Sequence, residues 1–321
     1  MNSGVLTANV PVGTGARVTT HAVPPRVLVI AEQGLTFKQG LVEIFQAPFV
    51  GPPKRLYNHS PKGVAIAPNG DLVVFDEYDG LWVYDPPFTG RPRRISTEEY
   101  PTGQLLFDSE GQLFAVDGSE VYVFDPPYNS RPEFTISVGP ELGEVAFDSH
   151  YNLFASASGN TIYECIARKH YKCRVIPKMN GGVALNGKND LFTSPKASRS
   201  GTLAELPRPY DKVIAKTNVG FGPGALAVAS GGLILASGYD SSETIHLAVL
   251  PSSMTGSAQQ LPIEQYFTPL LAFVALKNRG DLFVSAESHQ GPCVDIYHYP
   301  YNKRSIRCVK AKYSITAVTA Q

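Results

Sequence analysis

GVAIAPNGDLVVFDEYDGLWVYDPPFTGRPRRI (Gly63–Ile95) is followed by QLLFDSEGQLFAVDGSEVYVFDPPYNSRPEFTI (Gln104–Ile136). The two stretches align turn for turn at a spacing of about 40 residues, a period of propeller blades. Each has a short apolar strand, a tight turn (PNGD, SEGQ), a second apolar strand ending in Asp, a loop, and two further strands around DPPF or DPPY. Four short strands that recur as one unit cannot bury their faces alone. Stacked radially they can, so the repeat predicts an all-β propeller of four-stranded antiparallel blades.

The innermost strand can be traced onward by its apolar pattern. The copies are Val64–Ala67, Leu105–Phe107, Val145–Phe147, Val183–Leu185, Leu226–Val228 and Phe273–Leu276, with a last one at Ile315–Ala320. The turns after the first six, PNGD, SEGQ, SHYN, GKND, SGG and NRGD, hold the Asn, Asp and Gly residues that tight hairpins favour. The C-terminal copy has no partners downstream. Near the other end, Arg26–Glu32, LVEIFQ and KRLY supply second, third and fourth strands but no first. Together they make one composite blade, which closes the ring and removes two open sheet edges. Seven blades are expected, or six if the N-terminal segment packs outside the ring. Residues 1–23 are expected to form a flexible arm, and residues 24–321 one propeller domain.

The PNGD turn, the Gly-Val-Ala opening and the Val-Tyr third strand resemble the repeat of NHL-type propellers, and the wider pattern is similar to gluconolactonase-like and virginiamycin-lyase-like propellers. The resemblance implies a fold, and it implies two competing uses of it. One is a non-catalytic module that binds a protein, peptide, glycan or small molecule. The other is a lactonase-like hydrolase or lyase that depends on a divalent metal. A structural module of a larger assembly is a third use.

Composition narrows the partners. The 321 residues carry 28 basic and 28 acidic side chains, so nothing recommends a nucleic-acid surface. No apolar run is long enough for a membrane helix, and a monomer is expected. The N-terminus lacks a recognisable export signal. The four cysteines nevertheless fall in two local pairs, Cys165/Cys173 and Cys293/Cys308, both at the hairpin of the third and fourth strands. That coincidence predicts two disulfides and an extracytoplasmic or secreted setting, with free thiols in a cytosolic protein as the alternative.

In a propeller, the second-to-third loops and the connections between blades surround one mouth of the channel. Ligand residues are sought there. Glu32, Asp76, Asp117 and Glu287 follow the second strands of four consecutive blades. Such an arc of carboxylates suits Ca²⁺ or Mg²⁺, although an Asp in this position also caps its own loop. His289, two residues beyond Glu287, is the candidate proton carrier, with Glu287 as its partner. Glu77, Tyr78, Lys196, Arg199, Tyr239 and Asp240 are candidate ligand contacts. The Pro-aromatic segments, repeated in five blades, are assigned to the outer turn, where Pro ends the ladder and the ring covers the blade edge.

Overall fold

A computed structural model of the chain describes residues 26–34, 39–58, 60–95, 104–128, 131–159, 161–195, 201–229, 232–242, 244–251, 253–261, 273–275, 281–288, 291–298, 301, 305 and 307–320. The strands form seven four-stranded antiparallel sheets. We number them as blades 1 to 7 around the ring and give strands from the axis outward. Blade 1 is Ser314–Ala320, Val27–Gln33, Gly40–Gln46 and Lys54–Asn58; blade 2 is Pro61–Ile66, Leu72–Asp76, Gly80–Tyr84 and Arg93–Ile95. Blade 3 is Leu105–Phe107, Leu113–Asp117, Glu120–Phe124 and Phe134–Ser137; blade 4 is Leu142–Phe147, Leu153–Ala157, Thr161–Ile166 and Lys172–Ile176. Blade 5 is Met179–Leu185, Leu191–Pro195, Thr202–Leu206 and Ala215–Asn218. Blade 6 is Gly222–Val228, Ile234–Tyr239, Ile245–Leu250 and Gln259–Gln260, and blade 7 is Phe273–Ala275, Leu282–Ser288, Gly291–Tyr297 and Arg307–Lys310. The expected arm, residues 1–23, lies outside the described residues.

Blade 1 is composite. Its innermost strand is the C-terminal one, paired antiparallel with the first strand of the chain from Leu28↔Ala320 to Gln33↔Ser314. An ion pair between Arg26 and Asp281 (2.9 Å) ties blade 1 to its neighbour, blade 7.

The second strands are buried on both faces, LVVFD of blade 2 throughout, because each blade is sandwiched between two others. The core is accordingly divided into interblade clusters. Val27, Val29 and Ala31 pack with Val64, Leu72 and Val74 of blade 2. The alternate residues Leu28 and Ile30 pack with Phe283, Val294 and Ile296 of blade 7. The period-two alternation of a strand thus serves two neighbours at once.

The innermost strands are longer than their apolar segments suggest. Blades 2, 4, 5 and 6 carry register shifts there, at Pro61/Gly63, Leu142/Val145, Asn180/Ala184 and Pro223/Ala225. The extra residues break the alternation, and Gly181 and Gly182 let the backbone of blade 6 approach at the Pro223 and Gly224 carbonyls.

The Pro-aromatic turns do what their repetition suggested. Phe49, Tyr128, Tyr210 and Tyr301 are buried and share a left-handed backbone, with φ of 58–68°. Each ring seals a seam between blades. Phe49 meets Phe283 of blade 7 edge-on at 5.6 Å, and Tyr210 meets Phe154 of blade 4 at 5.0 Å. Met254 fills the corresponding seam between blades 5 and 6. The Tyr210 hydroxyl also donates to the Asn189 carbonyl (3.1 Å). Tyr210→Ala should therefore lower stability by about 3–5 kcal/mol in urea unfolding, through loss of a buried ring. Val50→Ala, one residue past the Phe49 ring and 62% exposed, should change it by less than about 0.5 kcal/mol.

Both cysteine pairs are disulfide-bonded. Cys165 and Cys173 are directly opposed on the blade 4 hairpin. The second pair also lies on the third and fourth strands of its blade, but Cys293 opposes Lys310 and Cys308 opposes Asp295, so this bridge runs diagonally.

Candidate functional site

The mouth is built where connections between blades meet the ends of second strands. In blade 2, Asp76 ends the second strand and is fully buried. Its Oδ2 accepts from the Ser60 N–H (2.8 Å), and its Oδ1 accepts from those of Tyr78 (3.0 Å) and Asp79 (3.2 Å). One carboxylate thus ties the incoming connection to the outgoing loop, the capping role open to an Asp in this position. Around it lies a polar network across the seam of blades 1 and 2. Lys62 donates to Gln33 Oε1 (2.8 Å) and stands 3.4 Å from Glu77 Oε2. Ser60 Oγ donates to Glu77 (3.0 Å) and accepts from Gln33 Nε2 (3.2 Å).

Glu32 plays the same part in blade 1. It is fully buried, and its Oε2 accepts from the backbone N–H groups of Lys312 (2.8 Å) and Tyr313 (2.7 Å), which lead into the closing strand. Its Oε1 has no hydrogen-bond partner. Glu43, also buried, lies on the same face of the blade and pairs with Arg55 (2.8 Å). Burial first, then the charge of Glu43, pushes the Glu32 carboxyl up to about 8 against the pull of the two N–H bonds. Loss of hydration disfavours a buried carboxylate, and a second acid beside it compounds the effect.

On blade 6, Tyr239 ends the second strand and Asp240 organises the loop. Asp240 Oδ1 accepts from the N–H groups of Ser242 (2.8 Å) and Thr244 (3.0 Å), while Oδ2 meets His246 Nε2 at 2.9 Å. The bond to His246, then that from Thr244, holds the Asp240 carboxyl below its ordinary range. The His246 ring stacks on Phe221, with centroids 5.4 Å apart and planes 13° from parallel.

Of the expected carboxylate arc, Glu32 and Asp76 are thus bonded to backbone, and Asp117 is half-buried opposite Glu120. The Glu287 side chain and His289, Lys196 and Arg199 lie outside the described residues. Among the described residues, the one group of three or more His, Cys, Asp or Glu whose ligand atoms lie within 4.8 Å of one another is Cys293, Asp295 and Cys308, two of which are joined by a disulfide. Glu32, Asp76 and Asp117 do not offer a coordination shell by themselves.

Three residues of the site were not singled out from sequence. Lys62 and His246 take their significance from neighbours contributed by other strands, which spacing does not reveal. Glu144 left a signal: an acid inside the otherwise apolar strand LGEVAF. It is buried and reaches across blade 5, accepting at Oε2 from the N–H groups of Val183 (3.1 Å) and Leu226 of blade 6 (3.3 Å). Burial drives its carboxyl well above the ordinary range.

The ring, its composite closure and its loop-built mouth define a seven-bladed β-propeller. No family model matches the chain, and no curated protein matches it in sequence. Solved structures do match in fold. Selenomethionine virginiamycin B lyase from Staphylococcus aureus superposes with a TM-score of 0.55 and 11% identity, covering 76% of this chain and 85% of that one. A catalytically inactive His-to-Ala variant of the Staphylococcus aureus lyase with quinupristin gives 0.59 and 10%, covering 89% and 90%. A streptogramin B lyase gives 0.56 and 9%, covering 76% and 81%. At these identities the likeness concerns the fold.

Proposed function

We propose that this propeller is a recognition module that holds an extended ligand, a peptide or a glycan, across its mouth. One observation carries the reading: Tyr78, in the loop after the second strand of blade 2, and Tyr239, at the end of the second strand of blade 6, are 45% and 41% exposed. Tyrosine supplies a broad, stiff, amphipathic surface at little entropic cost, which suits it to recognition. Beside them Glu77 and Asp240 are fixed in loops by the bonds described above, and Lys196 and Arg199 belong to the same proposed face. The test is a peptide and glycan array probed with the wild-type protein and with the double variant Tyr78→Ala/Tyr239→Ala. Binders that lose at least about tenfold in affinity in the variant are expected. An array without binders, or binders indifferent to both substitutions, would reject the proposal.

A second reading, opening of a cyclic ester at the same mouth, is favoured by the His246–Asp240 pair, in which the carboxylate orients an imidazole suited to proton transfer. His289 and Glu287 are the residues that sequence reasoning assigns to this chemistry, with Ca²⁺ or Mg²⁺ as the metal. Quinupristin incubated with the protein and the metal would then give a new chromatographic species, absent with His246→Ala. Unchanged quinupristin would leave recognition as the reading for this ligand class.

We place this activity outside the cytoplasm, on the support of the two disulfides. Unreduced digests of protein isolated from its native source are expected to contain both bridged peptide pairs. Four alkylatable thiols would contradict that setting.

A further inference from the structure

The seam where the inner strands of blades 4, 5 and 6 meet holds an arrangement that the recognition reading does not use. Glu144 extends from blade 4 over the Gly181–Gly182 step of blade 5. A β-carbon on Gly182 would collide with Glu144 Oε2 and stand 2.6 Å from the Gly224 carbonyl oxygen. A β-carbon on Gly181 would stand 2.9 Å from the Pro223 carbonyl oxygen and 3.4 Å from Ser194 Oγ. Both glycines therefore keep a close approach open between two blades and the carboxylate, and Gly181 in addition has a left-handed φ of 76°. Ser194 is the direct cross-strand partner of Asn180, the residue before the step.

Three oxygens around this step are buried without a hydrogen-bond partner: Glu144 Oε1, Asn180 Oδ1 and Ser194 Oγ. Glu144 and Ser194 are 4% and 5% exposed. Orphaned buried polar atoms are rare, and several at one place call for a missing partner. All are oxygens, and the carbonyl oxygens of Pro223 and Gly224 stand close to the two glycines of the step. Among the described residues no Lys, Arg or His pairs with Glu144, whose carboxyl accepts from the backbone N–H groups of Val183 and Leu226. A water has two protons and no charge to offer such a set. A cation satisfies every oxygen and neutralises the carboxylate.

We propose that the Gly181–Gly182 step, with Glu144, Asn180 and Ser194, is a binding site for a hard, oxygen-seeking cation of the Ca²⁺ type that pins the inner strands of blades 4, 5 and 6 together. Amide, hydroxyl and carbonyl oxygens around a single carboxylate suit the larger, flexible shell of Ca²⁺ better than the tight octahedron of Mg²⁺. One carboxylate also implies affinity weaker than that of multi-carboxylate sites. The proposal uses none of the residues of the recognition reading and is tested independently of it.

The test is thermal unfolding of the full chain after chelator treatment, titrated with CaCl₂ or MgCl₂ to 10 mM, for wild type, Glu144→Gln and Ser194→Ala. Wild type is expected to gain about 3 °C with Ca²⁺ and less with Mg²⁺. Glu144→Gln, which keeps the side-chain shape, should unfold cooperatively and show no gain. Ser194→Ala should need several-fold more Ca²⁺ for the same gain. If Glu144→Gln does not fold, calorimetric titration of Ser194→Ala against wild type decides, with a weaker Kd expected. No wild-type shift, an equal shift in a folded Glu144→Gln, or an unchanged Kd in Ser194→Ala would overturn the proposal.

Discussion

A chain ending before Ser314 should fail to hold a closed ring. Truncation removes the innermost strand of blade 1 and with it Ile315, Ala317, Val318 and Ala320, all buried. It also leaves the strand Val27–Gln33 with a bare edge and uncovers part of the seams with blades 2 and 7. At the usual worth of buried apolar side chains the loss is about 5–10 kcal/mol, comparable to the whole stability of a typical domain. The exposed edge is in addition a template for association. The truncated protein is expected to elute as aggregate or to melt at least about 10 °C lower with reduced cooperativity. A monomeric truncated chain that melts within about 3 °C of the full one would mean that the terminal strand is ornament.

The second large effect is a pH dependence centred on Glu32. Its carboxyl stands near 8 in the folded protein, against an ordinary value of 4.5, chiefly because it is buried and secondarily because Glu43 is beside it. A folded-state pKa above the unfolded one means that the folded form holds the proton more tightly. The contribution is therefore complete below about pH 4.5 and is lost as pH rises through about 8. Across that window the loss is on the order of 5 kcal/mol. A proton on Oε1 would leave Oε2 to accept from Lys312 and Tyr313. Glu32→Gln preserves this pattern, with an amide N–H₂ in place of the acid proton and directed at Glu43. Urea midpoints at pH 5, 7 and 8.5 should fall for wild type and stay nearly level for Glu32→Gln, which should be the more stable at pH 8.5. Parallel profiles would show that the proton is held elsewhere.

The architecture was legible in sequence because the repeat leaves marks at turns, where backbone conformation restricts residue choice. PNGD, SEGQ and GKND mark the inner hairpins, and the Pro-aromatic segments mark the outer ones. Closure followed from bookkeeping of strands at the two ends. The innermost strands were less legible: LGEVAF, MNGGVAL and GPGALAV carry bulges that interrupt alternation, so only their apolar ends stood out. The site was harder still. Position after a second strand groups Glu32 with Asp76, but direction of bonding is a three-dimensional matter. Both acids turn to backbone N–H groups of adjoining connections, a role that sequence position could not separate from that of a ligand. His246 acquires its partner Asp240 only through the fold of one loop, and Glu144 acquires its surroundings from two other blades.

The claim that the mouth is the recognition surface is tested most directly by hydrogen exchange of the protein with and without a ligand identified on the array. Slower exchange is predicted in the loops that follow Asp76 and Tyr239, with the turns at Pro86–Phe88 and Pro209–Tyr210 on the other side unchanged. Protection confined to those outer turns, or to the outer strands of the blades, would contradict it.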